Sequence, residues 1–125
     1  MLPLEQQVLI ATNFTLRASF PLAGEPIPSY GEFPETFAGL RGRAQRATQM
    51  LRLLEPSQFV GAEARVLESQ AGEALVRLPA AEFLFQYALP NFFFHVTAAY
   101  AVLRSQGVPL GKENFDGFHS YATEP

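Results

Sequence analysis

The sequence predicts an all-α fold, an up-and-down helical bundle with one small β-hairpin before its last long helix. Three stretches, residues 3–19, 34–54 and 79–107, repeat apolar residues at steps of three and four. This period places them on one face of a helix. With 125 residues, of which 48% are apolar, the chain is long enough to form a single domain, residues 1–125, around a buried core.

The first predicted helix, residues 3–19, is amphipathic, with one apolar face and one polar face. Its apolar face consists of Leu4, Val8, Ala11, Phe14 and Ala18. Pro21 and Gly24 end the helix, and Pro26 and Pro28 then predict a stiff, extended connection.

The second predicted helix, residues 34–54, begins at Pro34, whose fixed backbone angle suits the first turn of a helix. Its apolar stripe consists of Phe37, Leu40, Ala44, Ala47, Leu51 and Leu54. Four arginines lie off that stripe, Arg41, Arg43, Arg46 and Arg52. We expect them to form the solvated face of the helix, since such charges are typical of an amphipathic helix in a bundle.

A change of pattern over residues 64–78 predicts the hairpin, because two short β-compatible runs flank the turn residues Ser69 to Gly72. The last long helix, residues 79–107, contains Pro90, which predicts a bend just before Asn91. The glycine-containing tail, residues 108–125, is expected to be irregular.

Two polar residues interrupt the apolar stripe of the last helix. The stripe consists of Leu84, Ala88, Asn91, His95, Ala98 and Val102. An unpaired buried polar group costs about 1–3 kcal/mol, so Asn91 and His95 are either hydrogen-bonded within the core or present for chemistry. His95 titrates near neutrality and is the candidate catalytic residue, with Asn91 expected to hold its tautomer. The candidate ligand cavity around His95 is lined by Phe14, Asn91, Phe92 and Tyr100.

Composition argues against several classes of function. The net charge is −3, and the nine basic residues include one lysine and no basic run, so no nucleic-acid partner is expected. The absence of cysteine excludes thiol catalysis and disulfides. No stretch reaches the roughly 20 apolar residues of a membrane span, and the N-terminus lacks the pattern of a signal peptide. We therefore expect a cytoplasmic protein without membrane contact.

The strongest family signal is the segment Leu89 to Arg104, Leu-Pro-Asn-Phe-Phe-Phe-His-Val-Thr-Ala-Ala-Tyr-Ala-Val-Leu-Arg, followed by Gly-Val-Pro-Leu-Gly-Lys at residues 107–112. Asn-Phe-Asp-Gly at residues 114–117 and the segments 2–8 and 37–40 support it. The chain resembles domain-of-unknown-function family 1993 of the DinB-like helical bundle superfamily. The resemblance implies a four-helix bundle of which this chain lacks the first helix. Apolar faces left uncovered in this way imply a homo-oligomer, and we expect a dimer.

The resemblance also bears on metal binding, because DinB-like enzymes hold a divalent metal with one early histidine and two later histidines four residues apart. The corresponding positions here are Phe14, Asn91 and His95. Only one imidazole remains, so we expect no competent metal site and no cofactor. If zinc or nickel were bound, His95 and Asn91 would be the ligands.

These observations lead to two functional hypotheses. The first is a binding module that takes a small apolar ligand or a partner in the cavity around His95. The alternative is a metal-dependent or histidine-based enzyme of transferase or hydrolase type, by analogy with the DinB-like superfamily. The sequence leaves open whether the protein is an enzyme.

Overall fold

The computed structural model describes residues 1–122, and these residues are mostly helical. A central helix packs against two others, while a hairpin and two single-turn 3₁₀ segments cover one end. The elements in chain order are α1 (Leu4–Leu22), α2 (Phe37–Arg52), 3₁₀ turns (Pro56–Phe59 and Ala62–Ala64), β1 (Val66–Ala71), β2 (Ala74–Pro79), α3 (Ala80–Glu82), a π-helical segment (Phe83–Ala88), α4 (Leu89–Ser105) and α5 (Lys112–Asp116). Helix α1 is the central one, since it packs on both α2 and α4.

Helix α1 continues past the predicted end at residue 19 and includes Pro21. Its last turn is held by Arg65, whose guanidinium donates a hydrogen bond to the carbonyl oxygen of Leu22. A cation at this end of a helix is favourable because the last carbonyls are unpaired and carry partial negative charge. This contact fixes the start of the hairpin against the end of α1.

Helix α2 begins later than predicted, at Phe37 rather than at Pro34. The hydroxyl of Thr36 accepts a hydrogen bond from the Gly39 amide at 3.0 Å, which caps the helix. Phe37 belongs to the predicted apolar stripe, but it is the first residue of the helix and is 72% exposed.

The predicted hairpin is present as an antiparallel pair, with Val66 opposite Pro79 at its open end and Ala71 opposite Ala74 at its turn. The predicted turn over Ser69 to Gly72 was wrong, because Ser69 to Ala71 pair with β2 and the turn lies at residues 72–73. Gly72 occupies the two-residue turn with a φ of 58°, a left-handed conformation that glycine adopts without strain. The hairpin leads directly into α3 and so positions the start of the last long helical stretch.

The helical stretch before Pro90 is wound as a π-helix over Phe83–Ala88. Pro90 has no amide hydrogen, and in the preceding turn the Leu89 amide bonds to the carbonyl oxygen of Leu84, five residues back. A π-turn holds more residues than an α-turn, so it shifts the buried face of the helix. Phe83 lies outside the predicted stripe, yet it is fully buried.

The tail was predicted to be irregular over residues 108–125, and this was wrong for the part that forms α5. The side-chain oxygen of Asn114 accepts a hydrogen bond from the Gly111 amide at 2.8 Å, which closes the first turn. Phe115 packs edge-on against Tyr100 of α4, with ring centroids 6.1 Å apart. Residues 123–125 of that prediction lie outside the described residues.

The tightest core cluster lies where α1, the hairpin and the π-segment meet. Its buried members are Phe14, Ala18, Leu22, Leu67, Ala80, Phe83 and Ala88. Helices α2 and α4 make few contacts with each other. None of the helices in the described part of the chain has the length and apolarity that crossing a membrane requires.

Candidate functional site

His95 lies in α4, half-buried, and its hydrogen-bond partner is Gln7 of α1. The distance from His95 Nδ1 to Gln7 Oε1 is 2.7 Å. The Gln7 side chain is oriented by its own amide nitrogen, which donates to the carbonyl oxygen of Leu2 at 3.2 Å. Since the amide oxygen can only accept, the His95 Nδ1 carries the proton and Nε2 carries the lone pair. Gln7 is 1% exposed, so this contact joins α1 to α4 inside the protein.

Aromatic rings surround the His95 imidazole. Phe14 stacks on it with centroids 6.4 Å apart and planes 13° apart, and Phe94 meets it edge-on at 5.1 Å. Burial lowers the pKa of His95 below its usual value, because charging the ring would cost solvation. The imidazole is therefore neutral at neutral pH, the form that suits a hydrogen bond to an uncharged amide.

Asn91 does not hold the tautomer of His95, contrary to the sequence prediction. Its amide nitrogen donates to the carbonyl oxygen of Tyr87 at 2.8 Å, one turn earlier in the helix. Gln7 has this role instead. Gln7 was not predicted, because its polar side chain lies among apolar residues on the inner face of the first helix. Its spacing from Leu4 and Ala11, three and four residues, is the signal that could have revealed it.

The other predicted cavity residues are only partly brought together. Phe14 and Phe92 line the same apolar cavity between α1 and α4. Tyr100 lies apart, since its hydroxyl donates to the Leu110 carbonyl oxygen at 3.3 Å and its ring packs on Phe115 of α5. Phe14 is thus the residue that links the cavity to the imidazole, with Phe92 on one side and His95 on the other.

Phe14, Asn91 and His95, the positions that the family resemblance assigns to metal ligands, offer few donor atoms between them. Phe14 has no donor atom, Asn91 offers one amide oxygen, and Nδ1 of His95 is engaged with Gln7. Structural and catalytic zinc sites use three or four strong donors. Within residues 1–122, no three histidine, cysteine, aspartate or glutamate side chains lie close enough together to hold a metal ion.

Arg17 of α1 forms hydrogen bonds to the hairpin that the sequence did not predict. Its guanidinium donates to the hydroxyl of Ser69 and, at 2.6 Å, to the carbonyl oxygen of Gln70, both in β1. The same group lies 3.4 Å from the Tyr87 hydroxyl and 4.7 Å from the centre of the Phe14 ring. Arg17 therefore fastens the hairpin to α1 beside the His95 contact, and its position three residues after Phe14 is the only sequence signal for it.

An apolar groove runs between α2 and α4, with α1 as its floor. It contains two adjoining cavities of about 400 and 450 Å³, which share Thr15, Leu51 and Phe92 in their walls. The first cavity is lined by Val8, Ala11, Thr12, Thr15, Ala44, Ala47, Thr48, Leu51, Phe92, Val96 and Ala99. The second is lined by Phe14, Thr15, Ala18, Ser19, Leu22, Leu51, Phe59, Leu84, Ala88, Leu89 and Phe92. We call this surface the α2/α4 groove.

The threonine hydroxyls of the α2/α4 groove donate their hydrogens to carbonyl oxygens of their own helices. Thr12 donates to the Val8 carbonyl oxygen at 2.9 Å, and Thr15 donates to the Thr12 carbonyl oxygen at 2.7 Å. On the facing wall, Thr48 donates to the Ala44 carbonyl oxygen at 3.1 Å. The lining residues carry no charge, so the groove is chemically apolar.

Comparison with known proteins places the chain in a family. Residues 1–116 match the family model described as Domain of unknown function (DUF1993). The chain belongs to this family. Among solved structures, the DUF1993 chain is similar to the crystal structure of a DinB family member protein from Shewanella denitrificans, with 28% sequence identity and a TM-score of 0.70. The match covers 99% of this chain and 70% of that one. The comparison with curated proteins gave no match.

Proposed function

We propose that this DUF1993 chain is a binding module that takes an amphipathic α-helix of a partner protein into the α2/α4 groove. The observation that carries the proposal is that α1 packs on both α2 and α4, while these two helices scarcely contact each other. In a four-helix bundle, the position opposite the central contact is occupied by a further helix. Here that position is an apolar groove.

The shape of the groove favours a helix over a compact small molecule. Each cavity has the volume of a small-ligand site, but the two adjoin along the helices in one elongated groove. Three of the four residues in its α2 wall, Ala44, Ala47 and Thr48, are small and allow another helix to approach closely, and the fourth is Leu51.

A fluorescence titration tests this proposal directly, because the chain contains no tryptophan. The probe is a synthetic helix of about 18 residues with a leucine and alanine face, glutamine elsewhere and a single tryptophan. We expect saturable binding with a blue shift of the peptide emission. Ala44→Glu, which places a charge in the groove at an exposed position, is expected to abolish it. Ala101→Glu, the same change on an exposed part of α4 outside the groove, is expected to leave it intact.

Other occupants give different results. Sedimentation that shows a concentration-dependent dimer, lost in Ala44→Glu but kept in Ala101→Glu, would assign the groove to a second copy of the chain. Binding of a small apolar dye without binding of the peptide would assign it to a small ligand. Either result would overturn the proposal, as would a peptide that binds both variants equally.

A further inference from the structure

Helix α2, which forms one wall of the groove, carries only positive charge. It contains four arginines and no aspartate or glutamate, whereas the whole chain has a net charge of −3. Charge concentrated on one element in this way creates a local field that can select the partner that docks beside it.

Two of these arginines lie along the rim of the α2/α4 groove. Arg52 follows the groove residue Thr48 by four positions, and Arg41 precedes it by seven, so all three share one helix face. Both arginines are exposed. Arg46 lies two positions before Thr48 and therefore on a different face.

The fourth arginine, Arg43, is engaged inside the protein. Its guanidinium donates to the hydroxyl of Thr12 at 2.8 Å and to the side-chain oxygen of Asn13 at 2.6 Å, and it lies over the ring of Tyr30. Arg43 therefore stabilises the contact between α1 and α2, and the charges at the rim of the groove are those of Arg41 and Arg52.

The rim arginines have no carboxylate partner within residues 1–122. The two ion pairs in that part of the chain join Arg77 to Glu68 and His119 to Asp116, both away from α2. The opposite rim of the groove, on α4, has the uncharged Phe93 next to the groove residue Phe92. The groove is thus apolar at its floor, basic along one edge and aromatic along the other.

We infer that the partner helix carries a row of acidic side chains along the edge that faces α2, where they pair with Arg41 and Arg52. This inference rests on the proposed helix-binding function and specifies the chemistry of the partner. The apolar face of the partner helix packs in the groove, and its acidic edge fixes which way round the helix lies. Charge pairs at the rim of an interface act mainly on specificity and on the association rate.

Three tryptophan-labelled peptides test the inference. They share the apolar face and differ at one edge, which carries glutamate, glutamine or lysine. An exposed ion pair contributes up to about fivefold in affinity, so with two pairs we expect the glutamate peptide to bind about tenfold more tightly than the glutamine peptide. The lysine peptide is expected to bind most weakly. The differences should shrink as salt is raised, since exposed charges are screened within about 10 Å at 0.1 M.

Variants of the rim provide the matched controls. Arg41→Glu combined with Arg52→Glu is expected to reverse the order of the peptides, while Arg46→Glu, an equal change on another face of the same helix, is expected to leave it unchanged. Because all three arginines are exposed, we expect the variants to fold, which circular dichroism checks.

The possible failures are distinguishable. If no peptide binds, the proposed helix-binding function fails and the inference fails with it. If all three peptides bind equally, the groove binds helices but the acidic edge is refuted. A change of peptide order in Arg46→Glu as large as in the double variant would refute the role of the rim.

Discussion

Replacing Gln7 and His95 together should cost less stability than the two single replacements combined. The two side chains meet at 2.7 Å across the contact of α1 with α4, although they are 88 residues apart in the sequence. Each is therefore the group that satisfies the other. The informative substitutions are Gln7→Leu, His95→Leu and the double variant, since leucine fills much of the space without hydrogen-bonding.

The magnitudes follow from burial. His95→Leu leaves the oxygen of Gln7, a residue that is 1% exposed, without a partner, and we expect a loss of about 2–3 kcal/mol. Gln7→Leu leaves the imidazole of half-buried His95 unpaired, where water can reach part of it, so the expected loss is about 1 kcal/mol. In the double variant neither polar group remains. We expect a coupling energy of about 1–2 kcal/mol between the two sites.

Urea unfolding followed by circular dichroism, at about pH 8 where the imidazole is neutral, gives the free energy of unfolding for each variant. Gln6→Leu is the control, because Gln6 is the exposed neighbour of Gln7 and its replacement should change stability by less than about 0.5 kcal/mol. Losses that simply add in the double variant would show that Gln7 and His95 do not hold each other in the folded protein.

Three further predictions concern other parts of the chain. Gly39→Ala should destabilise the protein by about 3 kcal/mol, because its Cβ would lie 1.8 Å from the Pro34 carbonyl oxygen. In Gly42→Ala of the same helix, the added Cβ would lie 3.4 Å from the Phe33 ring, so this change should be neutral or stabilising by up to about 1 kcal/mol. Equal unfolding midpoints for the two variants would contradict this prediction. Arg17→Met should cost about 1–2 kcal/mol and speed amide hydrogen exchange in the hairpin, and unchanged hairpin exchange would exclude the proposed fastening. Burial lowers the pKa of folded His95, so its unfolded form binds the proton first as pH falls. The contribution of neutral His95 to stability should be complete above the unfolded pKa of about 6.5, and it should be lost as the pH falls through the lower folded pKa. The free energy of unfolding should therefore depend less on pH in His95→Leu than in the unmodified protein across this range.

The periodic part of the fold could be predicted because it is local. Ala11, Phe14 and Ala18 of the first stripe are all buried, as is Ala47 of the second. Exact helix ends depend on single hydrogen bonds, such as the Thr36 cap, and were therefore predicted less accurately. The helical period shows that Gln7 lies on the inner face of the first helix, but it cannot show a contact between distant segments, such as that of Gln7 with His95.

The last helix shows where residue counting fails. The predicted stripe through Leu84 requires the same α-helical period before and after Pro90. The π-segment adds a residue to the turn, and Phe83 rather than Leu84 becomes the fully buried side chain. The sequence shows that Pro90 removes a hydrogen-bond donor, but several windings can accommodate that loss. Packing against α1 and the hairpin decides which of them forms.

The sequence by itself determined the three long helical stretches and that one imidazole belongs to the inner stripe of the last helix, because neighbours along the chain encode this period. Only the tertiary structure decided that His95 meets Gln7, that Tyr100 belongs to the contact with α5, and that α2 and α4 leave a groove between them. These features depend on how segments far apart in sequence pack against each other, and no local pattern specifies which helix faces remain uncovered.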